Sequence, residues 1–221
     1  NSAATHAFYD FIALKRLIKG ESNEDSTRYV EKDVPIFTDH KLVEKEELIT
    51  AEWPKRATIR GRAILSVACR LGALDFSTGE PLSANNIDQR HYHHVYPDAL
   101  LKEAKIESFL ALNCALISDK TNLTIGRKDP VEYLKDRYKW TSEEIVTERL
   151  QAHLIPIPEL ANGGYEGLAD EEKVAKLRMD FERFLKRRAE LVIKAVRLLA
   201  AGRQLSALIL FKDENNEETP T

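Results

Sequence analysis

The chain has 221 residues, 43% apolar and 31% charged, against a usual charged share of ~25%. That length and apolar content support one large or two small domains with a core and exclude a disordered chain, and no run of ~18 apolar residues is present to span a membrane. A net charge of −3 excludes the global basic field that advertises nucleic-acid binding, and two cysteines, Cys69 and Cys114, exclude a four-cysteine zinc site and argue against a disulfide scaffold. Both cysteines sit in apolar sequence, and Asn1 to His6 lack the basic start and apolar run of a signal peptide, so buried free thiols in a reducing cytoplasm are expected.

Charge is unevenly spread. Glu21 to Glu52 holds ten acidic and four basic residues, whereas Lys173 to Arg203 holds ten basic and three acidic ones. In chain order, His6 to Ile18 has helical apolar spacing and stops at Gly20. This abrupt apolar opening leads us to expect the C-terminal part of a longer protein. A polar loop over Glu21 to Asp33 and a short helix over Lys41 to Glu52 follow. Thr58 to Leu71 predicts a helix with Ile59, Ala63, Ile64, Val67, Ala68 and Leu71 on one face, ended by Gly72. Ala73 to Phe76 predicts a short strand, with a turn through Pro81.

Ile87 to Tyr96 is the predicted strand that carries His91, His93 and His94. Pro97-Asp98 opens a helix using Leu100, Leu101, Ile106, Phe109 and Leu110, and Ala115 to Ile117 is a short buried strand. Ser118 is placed to cap a helical turn through Asn122. Asp129-Pro130-Val131-Glu132 and Thr141-Ser142-Glu143-Glu144 are helix starts. Ile155-Pro156-Ile157-Pro158 and Asn162-Gly163-Gly164 break the chain before the longest helix, which begins at Asp170, and the acidic tail beyond Lys212 is expected to fray. The fold class predicted is mainly α (α+β), a helical protein with a small central β-hairpin.

Asn113 and Asn122 follow His94 by 19 and 28 residues. Hydrolysis of a phosphodiester needs a base to deprotonate water and a cation to stabilise the developing charge. Histidine, with an ordinary pKa of ~6.5, suits the first task. On these residues the chain resembles the HNH nucleases of the ββα-metal superfamily: His93-His94-Val95-Tyr96-Pro97 is similar to the first motif, Asn113 to the central Asn and Asn122 to the third motif position. A closer similarity is to the C-terminal HNH domains of GmrSD- and SspE-type modification-dependent restriction and phage-defence proteins. Ala73-Leu74-Asp75-Phe76 with Thr78-Gly79, and Asn122, Ile125, Gly126, Lys128, Pro130, Glu132, Tyr133 and Leu134, carry that similarity, which covers roughly Leu65 to Leu134.

The resemblance implies a DNA endonuclease or nickase. His94 would be the general base, Asn113 would pin the loop carrying it, and His93 and Asn122 would bind one divalent cation. Mg²⁺ is expected first, with Mn²⁺ or a transition metal as alternatives, because no carboxylate joins His and Asn. Asp88 has no spacing that requires it in the site. Lys128, Arg127, Lys120 and Arg90 flank the motif as candidate phosphate contacts, with solvated loop charges as the alternative for each. The implied partners are double-stranded phage DNA, an N-terminal sensor or NTPase domain outside this chain, and a second copy if both strands are cut; no membrane is implied. The expected division is 1–72 as a helical segment packing on the nuclease core, 73–140 as that core, 141–212 as C-terminal helices and 213–221 as tail.

Strand alternation places His91 and His93 on one face and His94 on the other. A His91–His93 metal pair is therefore a rival, and the nuclease reading needs a bulge or strand end at His93-His94. His153, between a helix and Ile155-Pro156, reads as a packing residue. The basic longest helix reads either as a core helix with a charged outer face or as a DNA-backbone contact. A non-catalytic DNA-binding or assembly module with a degenerate site is the alternative function.

Overall fold

An antiparallel pair of five-residue strands is the only sheet among the described residues of an otherwise helical chain. The computed structural model describes residues 3–22, 26–38, 42–54, 58–83, 85–126 and 128–212. Their contacts divide the chain between Val43 and Glu44. The boundaries expected at 72 and 140 mark no such division, because residues 44–72 belong with the hairpin.

In the first unit, α1 (Ala3–Lys19) ends at Gly20, whose φ of 67° lets the Glu21 N–H reach the Arg16 carbonyl at 3.0 Å. A 3-10 turn at Glu31–Asp33 and α2 (Pro35–Thr38) follow.

The second unit starts with α3 (Lys45–Ile49) and α4 (Ile59–Leu71). Gly72 ends α4 in the left-handed region, as its position predicts. The buried face of α4 is Gly61, Ile64, Leu65, Val67 and Ala68, whereas Ile59 and Ala63 lie exposed. Ala73 to Phe76 does not form a strand. Leu74 makes a single bridge to Pro81, because the Asp75 carboxylate accepts the Ser77 and Thr78 N–H groups and curls the backbone into a turn.

Strand β1 (Arg90–His94) begins after a 3-10 turn at Ile87–Gln89, so it is shorter than predicted. It pairs antiparallel with β2 (Cys114–Ser118), with His93 opposite Ala115 and His94 opposite Cys114. Between them lie α5 (Asp98–Glu103), which stops well before the predicted Leu110, and a 3-10 turn at Ala111–Asn113. Helix α6 (Asp119–Ile125) leaves β2 directly, giving the local order strand, strand, helix.

The predicted caps form. Ser118 accepts the Thr121 N–H at α6, Asp129 the Glu132 N–H at α7 (Pro130–Trp140), and Ser142 the Ile145 N–H at α8 (Glu143–Gln151). After α9 (Ile157–Leu160), the 31-residue α10 (Asp170–Ala200) buries Leu177, Phe181, Phe184, Leu185, Val192 and Ala195 along one stripe. Arg188, on the same stripe, is fully buried and donates to the carbonyls of Leu112 (2.5 Å) and His153 (3.0 Å). Helix α11 (Ala207–Phe211) follows, and the tail 213–221 lies outside the described residues. The fold is thus mainly α with one small antiparallel hairpin. Among the described residues no helix is long and apolar enough to cross a membrane. Cys69 and Cys114 are free thiols.

Candidate active site

Because β1 alternates, its histidines leave the hairpin in opposite directions. His91 and His93 face the first turns of α6. His93 Nδ1 lies 2.8 Å from Asn122 Oδ1, and His91 Nε2 lies 3.6 Å from Asp119 Oδ1. The rival His91–His93 pair therefore shares a face, but each ring is engaged by a different residue of α6. His93 is only 6% exposed. Burial pushes its pKa down to about 4, the charge of His94 lowers it further, and the bond to Asn122 partly offsets both. At neutral pH the ring is uncharged, and it donates Nδ1–H to the amide oxygen.

His94 ends the strand on the other face. Its ring stacks on Trp53 at 4.1 Å and meets the edge of Phe109 at 4.8 Å. Its Nε2 is shielded from solvent and has no hydrogen-bond partner among the described residues. Burial lowers its pKa and nearby Lys102 lowers it further, against the opposing charges of Asp98 and Glu107. The structure thus provides the strand end at His94, but it does not bring His94 onto the His93–Asn122 face.

Asn113 is fully buried, and its side chain is spent on the backbone. Oδ1 accepts the Tyr96 N–H at 2.7 Å, and Nδ2 donates to the carbonyls of Tyr96 (3.1 Å) and Ser108 (3.0 Å). It therefore fastens both ends of the segment from Tyr96 to Ser108, which begins two residues after His94.

The four basic candidates fare differently. Arg90 requires correction as a phosphate contact. Its side chain is 2% exposed and lies between Asp75 Oδ2 at 3.5 Å and Glu80 Oε2 at 2.8 Å. Lys128 is half exposed and paired with Asp136. Lys120 is exposed on α6. Arg127 lies outside the described residues. On α10, Lys173 pairs with Glu103, Lys176 with Asp180 and Arg187 with Glu190, and Arg188 is buried, while Arg178, Arg183, Lys186 and Arg197 are exposed.

Sequence reasoning missed the organising role of Asp75. This carboxylate is 0% exposed and accepts Ser118 N–H and Thr121 Oγ1–H, each at 2.6 Å, besides its own turn. These donors hold its pKa far below the usual carboxylate range against a large opposing burial effect. The signal available was Asp75 with Thr78-Gly79, the pattern of an Asx-type turn. His153 is a packing residue, as expected: it is 1% exposed, its Nε2 donates to the Leu74 carbonyl at 2.7 Å, and burial pushes its pKa down to about 4.

A divalent cation would meet two candidate donors here. Ligands adjacent in an octahedron with ~2.1 Å bonds stand ~3 Å apart, close to the 2.8 Å between His93 Nδ1 and Asn122 Oδ1. Binding through Nδ1 would require the proton to move to Nε2. Among the described residues no group of three or more His, Cys, Asp or Glu side chains is arranged to hold a metal ion. The pair fits one edge of a coordination sphere with neutral donors, a set that favours Mn²⁺ or a transition metal over Mg²⁺.

No protein-family model, no curated protein and no solved structure matches the chain.

Proposed function

We propose that this chain is a divalent-metal-dependent DNA endonuclease or nickase, acting on phosphodiester bonds in bacterial defence against phage. The observation that carries the proposal is the 2.8 Å approach of His93 and Asn122, which stand 29 residues apart in sequence and meet at the corner between the hairpin and α6. A bound divalent cation would polarise the phosphate and stabilise the leaving oxygen. His93 and Asn122 would hold it, and Asn113 fixes the loop that follows His94.

His94 is the proposed general base. Its lowered pKa keeps the ring uncharged and able to accept a proton at neutral pH. To take that proton from water beside His93 and Asn122, the ring must leave Trp53. Double-stranded DNA is the proposed substrate, an N-terminal sensor or NTPase domain the proposed partner, and a homodimer the arrangement that a double-strand cut would need.

A second function is favoured by one specific observation, the shielded and unpartnered Nε2 of His94 on the opposite face. A ring that stays there belongs to a non-catalytic DNA-binding or assembly module with a degenerate site. Plasmid relaxation in a series of divalent metals separates the two. A nuclease nicks in a metal-dependent way and loses nicking in His94→Ala, whereas the binding module retains DNA without nicking in any metal.

A further inference from the structure

We infer that Asp75 is the positioning residue of this site, holding Asn122 against His93 by tying together the two elements that carry them. The inference rests on the assignment of His93 and Asn122 to the site; its geometric part stands independently of any nuclease activity.

The distance between His93 and Asn122 depends on where α6 sits relative to β1. Helix α6 has seven residues, too few to hold its own place by helix propensity. Asp75 reaches both elements. Its Oδ2 accepts the N–H of Ser118, at the start of α6, and lies 3.5 Å from Nη1 of Arg90, the first residue of β1. Its Oδ1 accepts the hydroxyl of fully buried Thr121, the residue immediately before Asn122, at 2.6 Å.

The turn that carries the carboxylate is held from behind. His153 donates to the Leu74 carbonyl, Arg137 donates to Ser77 Oγ at 2.5 Å, and Arg149 donates to the carbonyls of Phe76 and Ser77. Asp75 therefore transmits the position of α7 and α8 to the first turn of α6. The Ser118 cap alone secures the helix end but not its tilt over β1. Groups that orient metal ligands from behind typically change metal affinity 10–100-fold when removed, on the order of the effect expected here.

The test uses the full chain with Thr121→Val, Thr121→Ser and Asp75→Asn. Thr121→Val removes the bond to Asp75 at nearly constant volume, and Thr121→Ser restores it. The first readout needs no metal: the ¹⁵N shifts of the His93 imidazole, assigned with His93→Gln, report which nitrogen carries the proton. The unaltered chain and Thr121→Ser should show the proton on Nδ1. Thr121→Val and Asp75→Asn should shift toward mixed tautomers, with Mn²⁺ affinity lowered about tenfold. An unchanged His93 signature and Mn²⁺ affinity in Thr121→Val, at temperatures where circular dichroism shows the fold intact, would overturn the inference. Should Asp75→Asn fail to fold, Thr121→Val still decides. An unaltered chain that neither binds Mn²⁺ nor nicks DNA removes the nuclease function, while the tautomer readout continues to judge Asp75.

Discussion

His93 and His153 are buried neutral, with pKa values pushed down to about 4. Since an unfolded histidine titrates near ~6.5, protons bind the unfolded chain first. Stability from both residues is complete above that value and is lost as pH falls from ~6.5 toward ~4, on the order of 3 kcal/mol each. Urea unfolding at three pH values across this window should show the loss, and His153→Leu should flatten it. A profile flat between neutral pH and pH ~4.5 would contradict the buried-neutral assignment. At the same scale, Asn122→Ala should weaken Mn²⁺ binding and cost about 1–2 kcal/mol of stability, because it leaves the Nδ1–H of buried His93 without its acceptor. Isothermal titration checks this, and unchanged Mn²⁺ affinity would remove Asn122 from the ligand set.

The hairpin and its following helix were partly legible in the sequence. Caps are local, so Ser118, Asp129 and Ser142 announce the starts of α6, α7 and α8 within three residues of their partners. Asn113, expected to pin the loop carrying His94, fastens instead the segment from Tyr96 to Ser108 that follows it. The role of Asp75 was not legible, because its decisive partners Arg90, Ser118 and Thr121 lie 15, 43 and 46 residues away, a distance that no periodicity encodes. The same long-range burial makes Arg90 and Arg188 look like surface charges in the sequence, although each is enclosed. The facing of His94 was anticipated by alternation but not its stacking on Trp53, 41 residues upstream in the chain. Replacing Asn113 with Ala strands the Tyr96 N–H and two carbonyls, and should cost about 3 kcal/mol in chemical denaturation. A cost below ~1 kcal/mol would show that the loop holds itself.

For the whole molecule, charge bears on substrate affinity. The net charge is −3, and of the basic candidates near the hairpin Arg90 is enclosed and Lys128 is paired. DNA binding should therefore release few counterions, with a slope of log affinity against log salt no steeper than about −3. Fluorescence anisotropy over a salt series measures it, and a slope near −8 would point to a larger basic surface than the one described here. α10 carries Phe181, Phe184 and Arg188 on its buried stripe and Arg178, Arg183, Lys186 and Arg197 on its exposed side.

The most direct test of the proposed nuclease is relaxation of supercoiled plasmid by the unaltered chain and by His94→Ala, each with Mg²⁺, Mn²⁺ and a chelator. The unaltered chain should nick in Mn²⁺ and not with chelator, and His94→Ala should not nick although its DNA affinity is kept. Equal nicking by the two proteins, in preparations free of contaminating nuclease, would contradict the assignment of His94 as the base, and no nicking by the unaltered chain in any metal would contradict the nuclease itself.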